Sequence, residues 1–97
     1  MQFFKETTSF EWDKGNLDKN FVKHKVTHEE CEEAFFDPEK RLLKTTKITG
    51  EERHLLIAGT ASGRILFIVF TVRRNKIRVI SARDLNRRER HLYEKKS

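Results

Sequence analysis

The sequence predicts an α+β fold with two N-terminal helices, a mainly antiparallel sheet of about four strands and a C-terminal helix. Three observations carry this expectation. The stretch from Arg64 to Arg83 reads as a buried hairpin: Ile65–Val72 is apolar on both alternating faces except at Thr71, and Ile77, Val79 and Ile80 are β-branched, as in a strand covered on both sides. Helix-start signals stand ahead of it, at Asp13 and Thr27. The connections between successive strands are short, which favours an antiparallel meander. At 97 residues one domain over 1–97 is expected, with 1–9 a flexible arm and 10–95 the folded body.

Taken in order, residues 1–9 are mixed and polar, an arm or a short strand. Phe10-Glu11-Trp12 reads as a brief extended piece with its aromatics inward. Asp13 caps a helix over about Lys14–His24, with Trp12 and Leu17 in staple positions and Leu17, Phe21 and His24 on one face. Thr27-His28-Glu29-Glu30 is a capping box for a second helix, whose buried side is Cys31, Ala34 and Phe35. Asp37-Pro38 stops it, because the residue before proline is pushed out of the helical region. Leu42–Ile48 reads as a strand and Thr49-Gly50 as a turn. Glu52–Ala58 returns with Leu55 and Ile57 on one face and Leu56 and Ala58 on the other. Gly59–Gly63 turns into the central hairpin, where Asn75 suits a left-handed conformation in the Arg73–Lys76 connection. Asn86 caps a last helix from Arg87 to about Lys95, with Glu89 near the positive end of its dipole.

Apolar residues make up 36% and charged residues 37%, a modest core that eight Phe and one Trp help to fill. No run approaches the ~20 apolar residues of a membrane span, and Met1-Gln2-Phe3-Phe4-Lys5-Glu6 lacks a signal-peptide core. The single Cys31 cannot form an internal disulfide, so a reducing cytoplasm is expected. The net charge of +6 is unevenly placed: residues 73–97 carry ten Lys or Arg against three Asp or Glu. A localised basic surface of this kind suits RNA, DNA or an acidic protein.

No metal centre is expected, because His24 and His28 are separated by a helix start and no Cys pair or HExxH accompanies them. Gly59-Thr60-Ala61-Ser62-Gly63 lacks the Lys-Ser/Thr of a phosphate-binding loop. What recurs is a set of basic residues with proton-transfer partners: Lys23 and His24, Glu52 and Arg53, Arg78 and Arg83, and Tyr93. RNA cleavage by its own 2′-hydroxyl needs a base, charge stabilisation around phosphorus and an acid for the leaving 5′-oxygen. Arginines suit the middle task through bidentate phosphate contacts, and Glu or His the others. Arg73, Arg74, Arg87, Arg88 and Arg90 would extend the nucleic-acid surface. Taken singly, each is more often a solvated or structural residue than a catalytic one.

Phe10-Glu11-Trp12-Asp13, Asn20-x-x-Lys23-His24-x-Val26, Phe36-Asp37-Pro38, Gly50-Glu51-Glu52-Arg53, Arg78-x-Ile80-Ser81-Ala82-Arg83 and Arg88-Glu89-Arg90-x-x-Tyr93 together resemble the BrnT family. The match is ordered and departs from the family pattern at Asn16 and Leu85. The resemblance implies a RelE-like toxin domain over 10–95, part of a type II toxin–antitoxin system. It implies an endoribonuclease that needs no metal or other cofactor, blocks translation and is held inactive by a BrnA-like antitoxin. DNA would be bound only through the antitoxin complex, and no membrane is involved. Arg53, Arg78 and Arg83 are then expected to meet phosphate charge, Glu52 or His24 to move protons, and Lys23 to hold the substrate backbone, with Tyr93 at the margin.

Two other readings compete. One is a non-catalytic binding module whose basic tail docks an acidic antitoxin segment. The other is a helix-turn-helix DNA binder over residues 13–36, which ranks last because its second helix is acidic.

Overall fold

The computed structural model describes residues 9–12 and 25–94. Their order is β1 (Ser9–Phe10), α1 (His28–Phe35), β2 (Arg41–Ile48), β3 (Glu51–Gly59), β4 (Ile65–Arg73), β5 (Lys76–Asp84), a 3-10 turn (Arg87–Glu89) and α2 (Arg90–Glu94). The strands form one sheet in the order β1-β5-β4-β3-β2. Neighbours pair antiparallel, except that β1 runs parallel to β5 with Ser9 opposite Lys76 and Phe10 opposite Ile77.

This corrects the expected architecture. The sheet is five-stranded and mixed, not a mainly antiparallel sheet of about four. Two short helices are present among the described residues, one after β1 and one near the C-terminal end, instead of a pair ahead of the sheet. The RelE-like arrangement implied by the resemblance is corrected with it. An extended piece was expected at Phe10-Glu11-Trp12, but its place in the sheet escaped the sequence, because two residues carry no periodicity and their partners lie 67 positions away. The expected helix over Lys14–His24 falls outside the described residues. The last helix is split, opening as a 3-10 turn before continuing as α2. Among the described residues no helix is long and apolar enough to cross a membrane.

At eight residues α1 is too short to hold alone. Its capping box forms as expected: Thr27 Oγ1 accepts from Glu30 N–H at 3.1 Å, and Glu30 Oε1 accepts from Thr27 N–H at 3.0 Å. Packing supplies the rest. Cys31, Ala34 and Phe35 bury against Leu56, Ala58, Leu66, Ile68, Phe70, Ile77, Val79 and Ala82 on one face of the sheet. Phe35 meets Phe10 at 5.4 Å and Phe70 at 4.9 Å, both edge-to-face. Buried almost completely, Phe35 and Phe70 each contribute roughly 1.5–3 kcal/mol. Leu85 is buried too.

Both tight hairpins use left-handed residues. Thr49 (φ 51°) and Gly50 (φ 78°) turn β2 into β3, and Arg74 (φ 51°) and Asn75 (φ 64°) turn β4 into β5. Two successive positive φ angles match the twist of the flanking strands. Asn75 is where it was expected; Arg74 adopts the strained angle without glycine's freedom.

Arg64, just before β4, ties three segments together. It donates to Lys25 O at 2.7 Å, to Glu30 at 3.0 and 3.2 Å, and to both carboxylate oxygens of Asp84 at 2.5 and 3.0 Å. The start of α1, the β3–β4 loop and the end of β5 are thereby joined.

Candidate nucleic-acid interface and active site

The second face of the sheet, turned away from α1, gathers the cations. Strand alternation places Ile57, Leu55, Arg53 and Glu51 of β3 there, with Ile57 opposite Phe67 and Leu55 opposite Val69 of β4 and Glu51 hydrogen-bonded to Arg73. On β5 alternation alone would separate Arg78 from Arg83, since five is an odd spacing. A bulge intervenes: Phe70 pairs with Val79 and Val69 with Ser81, leaving Ile80 as an extra residue. The phase resets, so Arg78 lies opposite Thr71 and Arg83 opposite Phe67, both on the second face. The same device acts on β2. Leu43 is the extra residue between the Leu42–Leu56 and Lys44–Leu55 pairs, and it puts Arg41 and Lys44 on this face together.

Carboxylates hold these cations in place. Glu51 accepts from Arg73 at 2.7 Å and from Arg53 at 3.3 Å, and the Arg73 hydrogen bond keeps its carboxyl below the ordinary range. Arg78 lies 3.7 Å from Glu11. The Arg83 guanidinium stacks 4.3 Å from the centre of the Phe67 ring and grips both oxygens of Glu89, at 2.8 and 2.9 Å. That grip lowers the Glu89 carboxyl to about 2.

The structure separates some residues that the sequence grouped. Glu52 adjoins Arg53 in sequence, but alternation sends its side chain to the α1 face. There it shares the sheet rim with His54 in a cavity of about 350 Å³, also lined by Gly50, Glu51, Thr71, Val72 and Arg73. His54 is buried, sits 5.0 Å from the Phe70 ring and is hydrogen-bonded through Nδ1 to Thr45 Oγ1 at 2.9 Å. Burial lowers its pKa, more than Glu52 nearby raises it. Tyr93 lies at the opposite end of β3. Its hydroxyl donates to Asp37 Oδ2 at 2.7 Å, and the same oxygen accepts from Gly59 N–H at 2.7 Å. Burial and that carboxylate push the phenol up to about 12. With Arg41 donating to Tyr93 O at 3.2 Å, this contact fastens α2 to β2, β3 and the segment after α1.

Arg74 sits exposed in the β4–β5 turn, Arg87 and Arg88 are exposed on the 3-10 turn, and Arg90 is exposed at the start of α2. Lys23 and His24 lie outside the described residues. Cys31 is buried, and burial pushes its thiol up to about 12, which removes it as a nucleophile. Sequence reasoning passed over Arg41, Lys44 and Phe67 as site neighbours, and saw Glu89 only as a helix-end residue. The bulges left no signal, whereas the Asn86-x-x-Glu89 capping spacing was visible and its arginine partner was not.

A cationic face with partly exposed apolar residues between the arginines can bind a polyanion and neutralise charge that develops on it. Comparison with known proteins agrees in kind. No curated protein matches the chain. Residues 12–89, which take in β2 to β5 and the 3-10 turn with Glu89, match the family described as ribonuclease toxin, BrnT, of type II toxin–antitoxin system. The chain therefore belongs to the BrnT family, the ribonuclease toxins that act on RNA and are paired with an antitoxin.

Proposed function

We propose that the protein is a cytoplasmic endoribonuclease that cuts RNA on the arginine face without a metal, inhibits translation and is silenced by a BrnA-like antitoxin. In this reading DNA is met only through the toxin–antitoxin complex. The observation that carries it is the β5 bulge, which brings Arg78 and Arg83 to the face that Arg53 already occupies. Arg53 and Arg78 sit on the strands either side of β4, roughly 10 Å or two strand spacings apart. Arg83 stands four residues further along, about 13 Å.

In the proposed reaction the RNA 2′-oxygen attacks phosphorus and the bond to the 5′-oxygen breaks. A base takes the 2′-hydroxyl proton, and an acid returns one to the 5′-oxygen. Arg53, Arg78 and Arg83 offset the extra negative charge that phosphorus carries midway, a task for which a planar two-pronged donor is suited. Lys23 holds the substrate backbone. Proton transfer falls to His24 or Glu52, with Glu52 the less direct because it leaves β3 on the far face and reaches the site only around the rim. Arg73, Arg74, Arg87, Arg88 and Arg90 extend the binding surface. Tyr93 stays at the margin, holding α2.

One observation favours a binding module instead. Arg53, Arg73, Arg78 and Arg83 each already neighbour a carboxylate, as on a docking face that performs no chemistry. Incubating the purified chain with RNA, with and without EDTA, decides between the two. Cleavage that persists unchanged in chelator is expected. Cleavage that vanishes in EDTA and returns with magnesium would remove the arginine mechanism, and no cleavage at all would leave the binding module.

A further inference from the structure

We propose that Glu89 is a positioning residue for Arg83: it occupies one edge of the guanidinium so that the other is presented to an RNA phosphate. This rests on the reading of Arg83 as a phosphate ligand. A guanidinium has five N–H donors and two edges that can each grip an oxyanion with two parallel bonds. Glu89 takes the Nη1–Nη2 edge with both oxygens, and Asp84 O accepts from Nη1 at 3.1 Å. Among the described residues nothing accepts from Nε or from the second Nη2 hydrogen, and these two form the remaining edge. The Arg83 side chain keeps 36% of its surface exposed, which leaves room for an incoming anion.

The arrangement also fixes direction. Phe67 beneath the guanidinium sets its plane, and Glu89 sets its rotation within that plane. Glu89 is itself held at both ends of its residue. Its Oε1 accepts from Asn86 N–H at 3.1 Å, and its own N–H donates to Asn86 Oδ1 at 2.9 Å. Orientation of this kind matters most in the transition state, where a misplacement of ~1 Å can cost about a hundredfold in rate. Ground-state attraction runs the other way, because removing the Glu89 charge leaves Arg83 more attractive to phosphate. A positioning role therefore lowers kcat without raising KM, whereas a purely structural role lowers the folded fraction.

The experiment measures kcat and KM on an oligoribonucleotide that the wild-type chain cleaves, with Tm recorded for every variant. Glu89→Gln is expected to lower kcat by about tenfold or more, with KM unchanged or lower. In an Arg83→Ala background the same change should do nothing further, since Glu89 acts through Arg83. Asn86→Ala breaks the cap but keeps the ion pair, and should leave kcat per folded molecule within about twofold of wild type. Wild-type kcat in a folded Glu89→Gln protein, or an equal loss in Asn86→Ala, overturns the inference. A rise in kcat/KM overturns it too, since Glu89 would then be competing with substrate. Wild-type cleavage by Arg83→Ala overturns instead the reading on which it rests. If Arg83→Ala is inactive while Glu89→Gln cleaves normally, the positioning role alone fails.

Discussion

Arg64 and Arg83 are both gripped by a carboxylate through two bonds, yet they are held differently. Arg64 is spent on the fold. Its donors go to Lys25 O, Glu30 and Asp84, and they lock three segments that are distant in sequence. Arg83 is held but not used up, with one edge open among the described residues and an aromatic ring under it. Neighbouring residues on β5 separate the two contacts, because alternation sends Asp84 toward Arg64 and Arg83 to the other face. A carboxylate partner therefore does not by itself use up an arginine; what differs is which donors are engaged.

The largest expected effect breaks the comparison at Arg83. Arg83→Ala should lower RNA cleavage on the order of a hundred- to a thousandfold, the loss typical of a positioned donor at developing charge, while the protein folds and still binds its antitoxin. Arg83→Lys should recover little, since an ammonium lacks the fork. Circular dichroism with a single-turnover assay reads both halves. Wild-type rates in a folded Arg83→Ala protein would remove the residue from the site.

Next is the converse change at Arg64. Arg64→Met should cost about 2 kcal/mol of stability, because the partly buried Glu30 and the carbonyl of Lys25 lose charged hydrogen bonds. Urea unfolding measures it. A stability loss under ~0.5 kcal/mol would mean that the clamp is ornamental.

Salt sharpens the contrast. RNA affinity should fall with a log–log slope of about −0.7 per phosphate neutralised, so three arginine contacts imply a slope of about −2. Arg83→Ala should flatten it by about 0.7; Arg64→Met should not change it. A flat slope in the wild type would mean that the arginine face does not touch RNA.

A smaller effect tests the α2 fastening. Burial alone would raise the Asp37 pKa, but hydrogen bonds from Gly59 and Tyr93 outweigh it and leave the carboxyl below its ordinary value. Stability from a depressed carboxylate is present above the unfolded value and is lost as pH falls through the folded one. Melting temperature should therefore drop below about pH 4, with a shallower acid limb in Asp37→Asn. Tyr93→Phe should cost about 1 kcal/mol near neutral pH. The smallest effect is at the β4–β5 turn: Arg74→Asn should add less than ~1 kcal/mol, since asparagine tolerates positive φ better than arginine. Equal or lower stability would show that the turn carries no strain there.

Much of the fold was legible because its signals are local. The Thr27–Glu30 capping box, the Asp37-Pro38 stop, the β4–β5 hairpin and its left-handed Asn75 each depend on a few adjacent residues. Glu52 shows what local reading leaves out. Its nearness to Arg53 in sequence suggested a shared site, yet adjacent residues on a strand face opposite ways. The match to the family added the activity class, which no single arginine could have supplied.

By itself, the sequence determined helix α1, the strands β2 to β5, the concentration of basic charge after residue 72 and the membership of the family. Those follow from short-range sterics, capping chemistry and motif order. Only the tertiary structure decided that β1 joins the sheet in parallel, that Glu89 holds Arg83, and that Arg78 and Arg83 share a face. The last depends on Ile80 being left unpaired in β5. A bulge is chosen by the register of two strands against each other, through the burial of Val79 and Ala82 beside Phe70 and Ile68. Spacing along one strand does not contain that choice.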